Sequence, residues 1–225
     1  MILVKCTVLD SEPRLKQALQ ENKIIHSGAS IGLEKEVIGF KKNIVHTSAI
    51  LADYHTHESV GLIFDSKQDP KKFVPFDLDF FRILNKLINS YPAIKPKIVN
   101  TFRKKFVFKD VNKMAKAFPS PIAALAELDA CLHEYAKDLL EANSDDYGKL
   151  KPLTNIMTHI DHWKTRPFFR HNEAVFENQV EIEPLAFFGK DSVVKARLKK
   201  YKVQSDLKIY STAEAYFKEH EVTYK

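Results

Sequence analysis

The chain has 225 residues, 44% of them hydrophobic and 28% charged. That is an ordinary globular composition, long enough to bury a core without disulfide or metal staples. Thirty-five Lys and Arg against 29 Asp and Glu give a formal net charge of +6, an excess that favours an anionic partner such as nucleic acid, a nucleotide or an acidic protein. No apolar run approaches the ~20 residues of a membrane helix, and the N-terminus lacks a basic segment followed by a long apolar one. A cytoplasmic protein with no membrane partner is therefore expected. Cys6 and Cys131 each sit in an apolar stretch, as buried free thiols of a reducing compartment do.

Residues 2–9 are rich in β-branched and aliphatic side chains and read as a strand. Asp10 or Ser11 can cap a helix that has Pro13 in its first turn and Leu15, Ala18 and Leu19 on one face. Residues 37–40 and 44–55 read as two strands around Lys41 and Lys42, and 60–64 as a third. In the middle of the chain, Phe80, Phe81, Leu84, Leu87, Ile88 and Tyr91 form one stripe of a helix over 77–91. Ser120 caps a longer helix with Pro121 in its first position, running to about residue 142. Residues 143–153 are the best hinge or loop, within a single domain of 1–225. A short helix follows over 154–163. Then come a strand at 180–188, a helix at 191–201, a strand at 207–210, and a last helix opened by a Ser211–Glu214 capping box. The expected fold class is thus α+β (mixed α/β): an N-terminal β-sheet region, a helical middle, and a β-α-β-α tail whose strands rejoin the sheet in a parallel sense.

The densest chemical cluster is Asp53-Tyr54-His55-Thr56-His57-Glu58. Two His at i and i+2 of an extended segment project to one side and can approach one metal ion together, with Asp53 beside them. Asp53-Tyr54-His55-Thr56-His57 resembles the metal-binding opening of polymerase-and-histidinol-phosphatase type phosphoesterases, which implies metal-assisted phosphoester hydrolysis on a β/α barrel. The order Glu36, His55, His57, Ser66, Asp69 is similar to that of JAMM-type metalloproteases. The chain after residue 53 shows no β/α repeat, and no Pro follows His57, so neither family is assigned. The competing reading is a structural or surface role for both His.

His159 and His162 are i and i+3 neighbours on the helix expected over 154–163. They belong either to a solvated face or to the same site as His55 and His57. In the latter case zinc or manganese would be bound by His55 and His57, with Asp53, His159 and His162 in catalytic roles. Arg170-His171-Asn172-Glu173, followed by Glu177, Glu181 and Glu183, resembles the arginine and late-strand glutamate with which ADP-ribosyltransferase-like folds hold NAD. The alternative there is an exposed strand with alternating acids.

The segment 95–113 carries Lys95, Lys97, Arg103, Lys104, Lys105, Lys109 and Lys113 against the single acid Asp110, interleaved with Phe102, Phe106 and Phe108. Cations there can neutralise phosphates while aromatics stack on bases, which makes Arg103, Lys104, Lys105, Lys109, Phe102 and Phe106 candidate nucleic-acid contacts. The same pattern also describes a helix with a phenylalanine core face and a lysine outer face. A second basic run, Lys195 to Lys202, reads more simply as a solvated helix face. No nucleotide-cradling glycine motif and no nucleophile elbow is present. The leading expectation is a metal-assisted phosphoester hydrolase or nuclease-like protein acting on nucleic acid or a nucleotide. The alternatives are a non-enzymatic module that binds nucleic acid or protein through its basic face, and an NAD-using transferase.

Overall fold

The computed structural model describes residues 1–25, 32–51, 54, 60–78, 80–90, 92, 95–142, 158 and 171–224. Strand β1, Ile2–Lys5, is shorter than its composition suggests, because the chain coils at Cys6–Asp10 into a 3₁₀ helix. Helix α1, Glu12–Gln20, starts directly after Ser11 with Pro13 in its first turn, and buries Leu15 and Ala18. Strand β2, Lys23–Ile25, follows.

Residues 37 and 38, expected in a strand, instead form the last turn of helix α2, Gly32–Ile38. Leu33, Val37 and Ile38 are fully buried on one side of it. Gly39 ends the helix in the left-handed region at φ 83°, and its N–H and that of Phe40 both donate to Lys35 O. Glycine meets that C-terminal requirement without a Cβ penalty.

The remaining strands are β3 (Ile44–Thr47), β4 (Val60–Ser66), β5 (Lys72–Val74), β6 (Glu173–Glu177), β7 (Gln179–Gly189) and β8 (Ile209–Tyr210). The remaining helices are α3 (Phe80–Ser90), α4 (Lys95–Phe106), α5 (Val111–Ala117), α6 (Pro121–Ala142), α7 (Asp191–Lys200) and α8 (Ala213–Glu219). The final cap is one residue later than expected: Thr212 is extended and its hydroxyl accepts from Ala215 N. The hinge expected over 143–153 and most of the helix expected over 154–163 lie outside the described residues.

The strands form two sheets. One has the order β1-β4-β7-β2 with β8 also paired to β7; the other has the order β3-β6-β5. All pairings are antiparallel except β7 with β8, so the fold is α+β; of the two tail strands only β8 joins in the parallel sense, while β7 pairs antiparallel with β4 and β2. The turn between β6 and β7, at Asn178 with φ 73°, carries the chain from the second sheet into the first.

The two faces of the second sheet have different partners. Val45, Phe73, Ala174 and Phe176 pack with Leu3, Leu62, Phe64, Ile182 and Phe187 of the first sheet. Ile44, Val74 and Val175 pack with α2, α3, α4 and α6 through Val37, Phe81, Phe102, Leu128 and others. The outer face of the first sheet is closed by Tyr216 and Phe217 of α8. Among the described residues no helix is long and apolar enough to cross a membrane.

Where β4 passes the 3₁₀ helix the backbones nearly touch. A Cβ built on Gly61 would lie 2.4 Å from Phe188 Cζ and 3.0 Å from Cys6 Cα. Phe188 is buried and has nowhere to retreat. Gly61→Ala should therefore lower unfolding stability by roughly 1–3 kcal/mol, the usual cost of overpacking. Denaturant titration checks this; an unchanged midpoint would mean that the close approach relaxes freely.

Candidate metal centre

The site forms where β6 enters the second sheet. Asn172 is completely buried. Its Oδ1 accepts from Ala49 N at 2.9 Å and its Nδ2 donates to Ala49 O at 2.8 Å. The amide thus imitates a backbone pairing beyond the end of β3, which is one reason the strand expected over 44–55 stops early. With Asn172 held to that side, His171 and Glu173, at i and i+2 of an extended segment, project to the opposite side together.

Two further side chains meet them. His46 of β3 pairs with Val175, so it is the diagonal neighbour of Glu173 on the same face. Asp77 arrives from the link between β5 and α3, three residues beyond Val74, the β5 partner of Glu173. His46 Nδ1 and His171 Nε2 each lie 3.3 Å from Glu173 Oε1. His171 Nε2 lies 3.8 Å from Asp77 Oδ2. One ligand atom each from Asp77, His171 and Glu173 falls within 4.8 Å of the others.

The carboxylates are inside and the imidazoles form the rim: side-chain exposure is 4% for Glu173 and 9% for Asp77, but 19% for His171 and 26% for His46. Burial alone would push the Glu173 carboxyl up. The charge of His46 and the hydrogen bonds of His171 and His46 outweigh it, and hold Glu173 well below the usual carboxylate range. Glu173 is therefore an anion in an enclosed place. A tetrahedral zinc site with bonds of ~2.0–2.1 Å has ligand atoms about 3.3–3.4 Å apart. The His171–Glu173 separation matches that edge, while the Asp77 Oδ2–His171 Nε2 distance of 3.8 Å is longer than it. One imidazole nitrogen and two carboxylates suit zinc or manganese.

No family model, curated protein or solved structure matches this chain.

Asp53, His55, His57, His159 and His162 all lie outside the described residues. Between them Tyr54 is buried, and its hydroxyl donates to Phe118 O at 2.8 Å; burial raises its phenol pKa.

The basic segment divides sharply. Phe102 and Phe106 are fully buried, in ring contact with Phe76, Phe80, Phe81 and Phe118. This corrects the expectation that they stack on bases: they belong to the core face of α4 and have no ring face to offer. Arg103 donates to Glu36 O and Val37 O, closing the last turn of α2. Lys105 pairs with Glu127 at 2.5 Å. Lys104 and Lys109 are exposed, with no acidic partner among the described residues. In the second basic run, Lys195 pairs with Asp191 and Arg197 with Asp10, as a solvated helix face would.

The row of acids also separates. Glu181 and Glu183 are exposed on β7, and Glu183 pairs with Lys67. Glu177 accepts from the backbone N–H groups of Lys41 and Lys42. Glu173 is buried, contrary to an exposed strand of alternating acids. The alternation breaks because the turn at Asn178 assigns the two halves of the row to different sheets. The signal in the sequence was His171-x-Glu173, the same i, i+2 geometry that drew attention to His55 and His57.

Proposed function

We propose that Asp77, His171 and Glu173 hold a divalent cation of the zinc or manganese type, and that this centre hydrolyses phosphoesters of nucleic acid or a nucleotide. The observation that carries the reading is the convergence of these three donors, from two separate segments of chain, around a buried carboxylate kept ionised. For ligation His171 must give up its Nε2 contact with Glu173 Oε1, so that the Nε2 lone pair faces the cation and the remaining proton resides on Nδ1; the charge of the cation then takes over from that hydrogen bond in keeping the carboxylate ionised. His46 is a positioning residue: carrying its proton on Nδ1, it donates to Glu173 Oε1 and fixes the carboxylate, as outer hydrogen-bond partners of metal ligands do. A bound cation of this kind lowers the pKa of water and polarises a phosphoryl oxygen. The side of the cluster edged by the imidazoles is where substrate would enter.

The test is metal content and hydrolysis of bis(p-nitrophenyl) phosphate, with wild type compared to His171→Ala and Glu173→Gln. Wild type should retain zinc or manganese through dialysis and lose both metal and hydrolysis to chelator. Either variant should bind the metal at least about tenfold more weakly, since even outer-shell changes cost 10–100-fold. Equal metal affinity in wild type and both variants would overturn the reading. Metal binding without hydrolysis would retain the centre and remove the enzyme.

A further inference from the structure

Lys72 of β5 stands apart from the other lysines. Phe73 N donates to Phe108 O at 2.8 Å and Phe108 N to Phe73 O at 2.9 Å, an antiparallel bridge that sets the segment after α4 beside β5. The residues flanking such a bridge face each other as a non-hydrogen-bonded pair, the kind in which side chains come closest. Lys72 is thus directly opposite Lys109, with both side chains on one face, and like charges so placed are destabilising.

The neighbouring lysines are compensated: Lys95 pairs with Glu36, Lys97 with Asp138 and Lys105 with Glu127. Lys72 and Lys109 have no acidic partner among the described residues. Lys72 is only partly exposed, so water does not simply take the place of one. Burial, followed by the charges of Lys109 and Arg103, holds the Lys72 ammonium below the usual lysine range. Arg103 adds its charge to the same neighbourhood. Its Nε and Nη2 are fixed by the end of α2, which pre-organises the guanidinium and leaves Nη1 for another acceptor.

We propose that Lys72 and Lys109 form a seat for a phosphate group. A tetrahedral oxyanion supplies several acceptors and the negative charge that Lys72 and Lys109 lack among the described residues. Lysine ammoniums bind phosphate as point charges. The seat does not rest on the metal reading and is tested without metal. The group could belong to a small phosphorylated molecule or to a nucleic-acid strand, and the experiment separates the two.

The protein is titrated in chelator, at low and moderate salt, with pyrophosphate and with a short fluorescent single-stranded oligonucleotide. Wild type is compared with the double variant Lys72→Gln, Lys109→Gln. The double variant should bind at least about tenfold more weakly, and its log–log salt slope should fall by roughly one unit per lost contact. Its melting temperature without ligand should equal or exceed that of wild type, because a like-charge pair has been removed. A preserved fold keeps the comparison valid. Lys195→Gln, whose partner is Asp191 on a solvated face, should bind as wild type does. If pyrophosphate is bound and the oligonucleotide is no tighter, the ligand is a small phosphorylated molecule; if only the oligonucleotide is bound, it is a strand. Equal binding by wild type and the double variant, or binding of neither probe by wild type at low salt, would overturn the seat.

Discussion

Phe102→Ala is expected to cost about 3–5 kcal/mol of unfolding stability, the range for emptying a buried aromatic site. The ring has no exposed surface. Its centroid lies 5.3 Å from that of Phe106 and 6.0 Å from those of Phe80 and Phe81. Four helices and the inner face of β3-β6-β5 surround this cluster, so the cavity cannot collapse cheaply. Should the alanine variant fail to fold, Phe102→Leu, which keeps most of the volume, should remain folded with a smaller loss. Chemical denaturation of both, alongside the oligonucleotide titration, separates core from contact. A core residue changes stability and leaves affinity alone. A variant with unchanged stability and weakened binding would return Phe102 to the nucleic-acid surface, and would also mean that α4 is turned the other way.

The second large effect is expected at Asn172, which does not belong to the chemistry itself. Asn172→Ala leaves the N–H and the C=O of Ala49 without their partners in a buried place. Each such group costs about 1–3 kcal/mol, so a loss of roughly 2–5 kcal/mol is expected. The amide also holds the backbone that aims His171 and Glu173 to one side. Metal affinity should therefore fall in this variant although no donor atom has been removed. Asn172→Asp is the informative control: it keeps the acceptor for Ala49 N and loses the donor to Ala49 O, so it should be destabilised as well. Unfolding curves with and without zinc measure both effects, since a ligand that binds only the folded state stabilises it by mass action. If Asn172→Ala is destabilised but its zinc-dependent gain equals that of wild type, the amide is purely structural. If stability is unchanged, the clasp on Ala49 carries little of the fold.

Local regularities were legible from residues alone. Pro13 after Ser11 marked α1, and Ser120-Pro121 with its apolar line marked α6. The alternation of short strand and helix after residue 179 marked the tail that adds β8 to β7. Each depends on neighbours within one or two turns, and the hydrophobic period records such neighbours directly. Residues 37–40 misled because Val37, Ile38 and Phe40 have strand-like composition, while the helix is decided by what Leu33, Val37 and Ile38 bury and by Gly39 ending the turn. Composition over four residues cannot separate those cases.

The candidate centre was out of reach for a different reason. His46, Asp77 and the His171–Glu173 pair are brought together by the pairing of β6 with β3 on one side and β5 on the other. That register joins segments more than 90 residues apart, and no local pattern encodes it. The sequence displayed Glu173, Glu177, Glu181 and Glu183 as one row of acids. Only the passage of the chain between two sheets at Asn178 buried the first of them and left the last two in water, because the burial of a strand side chain depends on which surface covers its sheet. The same holds for Lys72. It looks like an ordinary surface lysine until the Phe73–Phe108 bridge sets it against Lys109, and the field at a charge is the sum of what the tertiary structure places around it.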